Sequence, residues 1–139
     1  MTVVVKSENI FEVLKHFKEQ LGFDYLADIT ASDHYTDDQR FEVTYNICNL
    51  GDRQRLMVSC FVEEADPSLD SVIKLWKAAD WFEREAYDMM GVTFNNHHDL
   101  RRMYMPEDYE WYPLRKEFPL LGIPGSLPLP EKDPPKEYK

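Results

Sequence analysis

Proline placement constrains this chain more than any other feature. Nine prolines occur, and eight of them lie beyond residue 100: Pro106, Pro113, Pro119, Pro124, Pro128, Pro130, Pro134 and Pro135. Prolines this dense forbid long helices and inner strands. Regular structure must therefore come from the first part of the chain. The proline-rich part nevertheless keeps Met103, Tyr104, Met105, Tyr109, Trp111, Tyr112, Leu114 and Phe118. A solvated linker does not carry so many large apolar residues. The expectation is an extended arm lying on another surface, with a polar, loose end from Pro128.

Upstream, the patterns are regular. Ile10, Val13, Leu14, Phe17 and Leu21 recur at helical spacing between a possible cap at Ser7 and a stop at Gly22. Residues 23–30 read as a strand, and residues 33–40 as a polar turn. Phe41, Val43, Tyr45 and Ile47 then alternate with Glu42, Thr44, Asn46 and Cys48. Leu56, Val58, Cys60 and Val62 repeat the period of two after a loop containing Gly51. Two adjacent strands of this kind form an antiparallel pair covering a core. Asp66-Pro67 suggests a helix start, with Leu69, Val72, Ile73 and Trp76 on its buried side. A last helix is expected over residues 80–90, with Asp80 and Glu83 at capping-box spacing and Gly91 ending it. The expected fold class is α+β: an N-terminal helix, a mainly antiparallel sheet with helices packed on it, then the arm. The expected division is residues 1–94 for the domain and 95–139 for the proline-rich, partner-binding arm.

Charge narrows the function classes. Sixteen basic residues against 26 acidic ones leave a formal net charge of -10. Nucleic-acid binding draws most of its affinity from a basic stripe, which this balance opposes. Adsorption to anionic lipid is opposed likewise, so any membrane role is expected through partner subunits only. No run approaches the roughly 20 apolar residues of a membrane helix, and the N-terminal stretch lacks the apolar core of a signal peptide. Cys48 and Cys60 have no CxxC spacing and read as two buried reduced thiols, with a cross-hairpin disulfide as the minor alternative.

The candidate chemistries are weak when weighed by spacing. Five glycines and no phosphate-loop or dinucleotide fingerprint make a backbone phosphate cradle a poor reading. His97-His98-Asp99 has adjacent histidines, expected to point in different directions, and no supporting ligand cluster, so a hydrogen-bonded loop is preferred to a metal. Glu83, Glu85 and Asp88 read as capping and ion-pairing residues, with Arg84 and Asp88 four apart. Arg101-Arg102 and Arg115-Lys116 are basic pairs in an acidic chain. Arginine forks suit carboxylate recognition, and Arg, Tyr, Trp and Met are enriched at interfaces.

Residues 81–91, reading WFEREAYDMMG, are followed by His97 and by Asp99-Leu100-Arg101-Arg102-Met103. Tyr112-Pro113-Leu114-Arg115-Lys116-Glu117-Phe118-Pro119 forms a further block, and residues 26–31 and 40–43 fit upstream. Together these resemble the 30 kDa subunit family of the proton-pumping NADH:quinone oxidoreductase, respiratory complex I, over roughly residues 23 to 121. The chain departs from the family pattern at Trp111-Tyr112, where Gly-His is usual, and at Asn96-His97-His98, where Gly-His-Pro is usual.

The resemblance implies a non-catalytic subunit of the quinone module, docked on the large hydrogenase-like subunit of the peripheral arm. NADH, FMN, iron–sulfur clusters and quinone are implied for partner subunits and no cofactor for this chain. Localisation is implied at the cytoplasmic face of an inner or thylakoid membrane, or the matrix side in an organelle. The residues expected to brace or bind partners are Glu83, Arg84, Glu85, Asp88, His97, Arg101, Arg102, Trp111, Tyr112, Arg115, Lys116 and Phe118. On this reading Arg101, Arg102, Arg115 and Lys116 pair with partner carboxylates, and Trp111, Tyr112 and Phe118 anchor the arm in apolar grooves. The same kind of subunit occurs in related membrane-bound hydrogenases, NDH-type complexes and F420H2 dehydrogenases, which are the alternative machines. A stand-alone enzyme using Glu83 or His97 as acid or base is the remaining alternative.

Overall fold

A computed structural model describes residues 1–36 and 38–127. Its elements run β1 (Thr2–Val4), a 3-10 turn (Ser7–Asn9), α1 (Ile10–Leu21), β2 (Tyr25–Asp33), β3 (Phe41–Asn49), β4 (Gln54–Val62), β5 (Ser68–Asp70), α2 (Ala79–Met90) and β6 (Thr93–Asn95). The main sheet has the order β1-β4-β3-β2, and β5 and β6 form a separate pair. β2, β3 and β4 are antiparallel, and β1 joins β4 in parallel. This is the expected α+β class with a mainly antiparallel sheet, made mixed by the parallel β1.

The alternation read in the sequence sets the core. Phe41, Val43, Tyr45 and Ile47 on β3 are completely buried, and Leu56, Val58, Cys60 and Val62 face them from β4. α1 adds Ile10 and Leu14, while α2 adds Ala79, Ala86 and Met90 to the same cluster. α1 ends at Gly22, whose φ of 71° is the left-handed stop that glycine adopts without a Cβ penalty. Both cysteines are buried and unpaired, and burial pushes the Cys60 thiol up to about 12.

Four local expectations change. The helix expected from Pro67 is instead β5 followed by turns. Leu69, Val72 and Trp76 are buried as the helical spacing implies. However, Ser68–Asp70 pairs in parallel with Thr93–Asn95, and the Pro67 carbonyl accepts the Thr93 N–H at 2.8 Å. A tertiary partner has overridden local periodicity. Second, β1 has no counterpart in the sequence reading; three residues are too few to show alternation. Third, neither Ser7 nor Asp80 caps a helix: α1 follows the 3-10 turn from Asn9, and α2 starts from Ala78 without a side-chain cap. Finally, the boundary at 94/95 falls inside β6, and the chain beyond it returns to the domain. The expected loose end from Pro128 lies outside the described residues.

Candidate functional site

The site is the base of the arm and the helix that holds it. α2 places Asp88 with its side chain wholly closed to solvent. Arg102 Nη1 donates to Asp88 Oδ1 at 2.8 Å, and also to the Asp88 carbonyl at 3.0 Å. Asp88 Oδ2 accepts three successive backbone N–H groups, from Met103, Tyr104 and Met105, at 3.0, 2.7 and 3.0 Å. Burial works against this carboxylate's charge, but the Arg102 bond and the three N–H donors outweigh it and hold its pKa below the ordinary value. One carboxylate thus satisfies a turn of chain that has no regular partner of its own.

Gly91 makes the next contact possible. Its φ is 77°, and a Cβ there would lie 2.6 Å from Arg115 Nη2 and 2.8 Å from the Tyr112 ring. In that space Arg115 Nε donates to the Met90 carbonyl at 2.8 Å, and the Leu114 N–H donates to the Met89 carbonyl at 3.1 Å. Tyr112 has two guanidinium groups over its ring, Arg115 at 4.4 Å and Arg102 at 5.0 Å from the ring centre. Cation–π attraction of this kind is strengthened by desolvation.

A second anchor lies at the rim of the β2–β3 hairpin. Arg40 Nε and Nη2 grip Asp33 with a fork at 2.9 and 2.8 Å. Arg40 Nη1 also reaches Glu64 at 2.6 Å, and Nη2 reaches Glu117 on the arm. The Lys116 N–H donates to Asp33 Oδ2 at 2.8 Å. The Arg40 guanidinium holds the Asp33 carboxyl well below the usual carboxylate range, against the opposing effect of burial. By sequence pattern Asp33 and Arg40 are only the ends of a polar turn. Opposite charges at the two ends of a hairpin loop are the one signal that points to their pairing.

The remaining predicted residues divide clearly. Arg84 does not pair with Asp88; its guanidinium donates toward the Arg101 and Arg102 carbonyls at 3.2 and 3.4 Å, bracing helix against arm. Glu85 is exposed. Glu83 is fully buried, accepting from Ser71 Oγ at 2.6 Å and from the Val72 N–H at 2.7 Å, with His97 Nε2 3.8 Å away. Burial pushes Glu83 up to about 7, although both hydrogen bonds favour its charge. Phe118 is half-buried, and Lys116 keeps its side chain exposed. Trp111 is partly exposed and meets Tyr109 edge to face at 5.3 Å.

Arg102 and Arg115 are consumed within the chain, with side chains only 7% and 17% exposed. This differs from the expectation that all four arm cations face a partner. Arg101 remains largely exposed, paired at 2.7 Å with Asp99 of its own turn.

His97 and His98 also differ from expectation. Their rings are stacked, 5.2 Å apart and 5° from parallel, rather than diverging. With Asp80 they bring three possible metal-ligand atoms within 4.8 Å of one another. The His97 Nδ1 lone pair accepts the Asp99 N–H at 3.1 Å, which puts the ring proton on Nε2. Nε2–H then donates to the Asp80 carbonyl at 3.4 Å, while Asp80 Oδ1, 3.2 Å away, is not aligned to accept it. A metal-binding imidazole has the opposite arrangement, donating from its second nitrogen. The cluster therefore reads as a hydrogen-bonded junction between α2 and the start of the arm.

Comparison with known proteins agrees with this architecture. The family model for the respiratory-chain NADH dehydrogenase 30 Kd subunit matches residues 3–123. An NADH-quinone oxidoreductase subunit of Citrifermentans bemidjiense is 47% identical over 122 residues, which is 88% of this chain and 76% of that protein. A trypsin-resistant fragment of Nqo5 superposes with a TM-score of 0.66 at 40% identity, covering 71% of this chain and 81% of the fragment. A chain of the membrane-bound sulfane sulfur reductase, an archaeal respiratory membrane complex, gives 0.77 at 27% identity over 86% of this chain and 72% of its own length. No helix among the described residues is long and apolar enough to cross a membrane. With the family model spanning the sheet, α2 and both anchors of the arm, this chain belongs to the 30 kDa subunit family of the respiratory-chain NADH dehydrogenase.

Proposed function

We propose that the chain is a cofactor-free docking subunit of the quinone module of a proton-pumping NADH:quinone oxidoreductase, seated on the large hydrogenase-like subunit. Its contribution is assembly; NADH, flavin, iron–sulfur clusters and quinone belong to its neighbours. The carrying observation is the division of labour along the arm. Arg102, Arg115 and the Leu114 and Lys116 N–H groups are spent on Asp88, Met90, Met89 and Asp33. Tyr104, Trp111 and Leu114 are left exposed, and Leu120 and Leu121 have almost no cover at all. An arm anchored at its base that exposes these large apolar side chains suits an interface core, which is rich in aromatic and aliphatic anchors.

On this reading Arg102, Tyr112 and Arg115 position the arm, while Trp111, Leu114, Leu120, Leu121 and Arg101 meet the partner. Glu83, Glu85, His97, Lys116 and Phe118 act from behind or beside that surface. The test is co-purification of the large subunit with a full-length Leu120→Ser/Leu121→Ser variant whose circular dichroism matches wild type. Expected is a loss of at least tenfold in recovered partner. Undiminished recovery sinks the docking reading.

The likeness to the sulfane sulfur reductase chain favours a second reading, in which the same kind of subunit serves a related membrane complex with another electron donor. Mass spectrometry of the complex purified from its native membrane separates the two, because the electron-input subunits differ.

A further inference from the structure

β1 is the outer strand of the main sheet, and among the described residues no strand pairs with its other edge. Parallel pairing directs residues 1, 3 and 5 to β4: the Met57 N–H donates to the Met1 carbonyl, and the Val5 N–H donates to the Ser59 carbonyl. By alternation, the N–H and C=O groups of Thr2 and Val4 point away from the sheet. The same holds on β5. Pro67 and Ser71 bond to β6, so the backbone groups of Asp70 point away from it. Exposed strand edges are normally blunted by lysine, proline, a bulge or a covering element. Thr2–Val4 has no such residue, and Val4 is 64% exposed. The opposite edge contrasts with it, since β2 carries an irregularity between Leu26 and Asp28 and is packed by α2.

An open cleft of about 750 Å³ lies between these elements, walled by Val4–Glu8 on one side and by Asp66 and Ser68–Asp70 on the other, with Phe61 and Glu63 also lining it. That volume falls within the roughly 300–1,000 Å³ typical of ligand clefts. Its charge is one-sided: Lys6 stands against Glu8, Glu63, Asp66 and Asp70. None of these five forms an ion pair among the described residues.

We propose that this cleft takes up an extended, basic segment of a neighbouring subunit as an added strand on the β1 edge. Main-chain bonds to Thr2 and Val4 supply register, and the carboxylates select lysine or arginine side chains on the incoming strand. The identity of the occupant as a neighbouring subunit rests on the docking reading above. The cleft itself lies on different elements from the arm and is tested separately.

The experiment uses the full chain and two capped hexapeptides, one alternating lysine with valine and one alternating glutamate with valine. Amide hydrogen exchange and chemical shifts of Thr2, Val4 and Asp70 are followed by NMR. The lysine peptide should slow exchange at Val4 by at least tenfold, and the glutamate peptide should leave it unchanged. Asp66→Lys/Asp70→Lys should weaken the lysine peptide tenfold or more, and Val4→Pro, which removes one outward N–H, should abolish protection at this edge. Equal effects of the two peptides, no effect of either, or wild-type binding by Val4→Pro would overturn the proposal. In the native complex, Val4 should be protected relative to the free chain. An intact complex in which Val4 exchanges as freely as in the isolated chain refutes the added strand and leaves the docking of the arm standing.

Discussion

Asp88 and Arg102 meet at 2.8 Å with the carboxylate closed to solvent, fourteen residues apart in the chain. The pair matters less for its own energy than for what it organises. Desolvating both charges offsets much of their attraction. The carboxylate's second oxygen, however, gathers three backbone N–H groups that would otherwise need water or another partner.

Asp88→Asn should therefore be costly although it is nearly isosteric. Either its amide nitrogen faces the Arg102 guanidinium, or it faces the three N–H donors. Breaking a buried pair of this type costs roughly 3–5 kcal/mol. Urea unfolding measures the loss, and limited proteolysis should show new cleavage between residues 101 and 118. A variant cut no faster than wild type in that segment contradicts the anchor.

Acid should release the arm by the same chemistry. The native pKa of Asp88 lies below its ordinary value of about 4. Its contribution is thus complete above that ordinary value and disappears as pH falls through the native one. Asp33 behaves alike. Protection of the Leu114 and Lys116 amides, relative to their intrinsic exchange rates, should fall on acidification below about pH 4, before the β3–β4 core opens. Simultaneous opening of arm and core would contradict two separate anchors.

Glu83 has the opposite sign. Its pKa is raised to about 7, so the stability held with the proton bound is complete below its unfolded value and is lost as pH rises through about 7. Glu83→Gln preserves an acceptor for the Val72 N–H and can donate to Ser71 Oγ. It should gain on wild type progressively between about pH 4.5 and 7. Glu83→Ala should lose roughly 2–4 kcal/mol, leaving a cavity and an unsatisfied N–H. Parallel pH profiles for wild type and Glu83→Gln would show that this carboxyl does not titrate as assigned.

Gly91→Ala tests the close approach of arm to helix. A left-handed alanine alone costs on the order of 1 kcal/mol, and here the new Cβ also collides with Arg115 and Tyr112. The loss should exceed that of Gly22→Ala, where the Cβ would meet only the Asn49 amide at 3.1 Å. Thermal unfolding of both variants settles the order, and equal losses would mean that the arm yields freely.

Arg40→Lys should lower stability by about 2 kcal/mol despite keeping the charge, because an ammonium cannot reproduce the fork on Asp33 while also reaching Glu64 and Glu117. Equilibrium unfolding of the variant against wild type is the check, and a change within about 0.5 kcal/mol refutes the two-pronged role.

What the sequence determined by itself was whatever repeats locally. A period of two placed β3 and β4 and named their buried faces. Helical spacing placed α1, and Gly22 and Gly91 marked both helix ends. Proline density correctly excluded regular helices from the described part of the arm. Periodicity reports which side of a segment is buried, not what buries it, so Leu69, Val72 and Trp76 were legible as core while their backbone was not. The choice of strand over helix at Ser68–Asp70 waited on β6, twenty-five residues later. The arm was likewise legible as apolar and basic, but only the tertiary structure decided which cations remain available. Two buried carboxylates, Asp33 and Asp88, attract its Arg102 and its backbone N–H groups from 14 to 83 residues away. Charge meets charge there because the fold has removed the water that would otherwise have satisfied each separately.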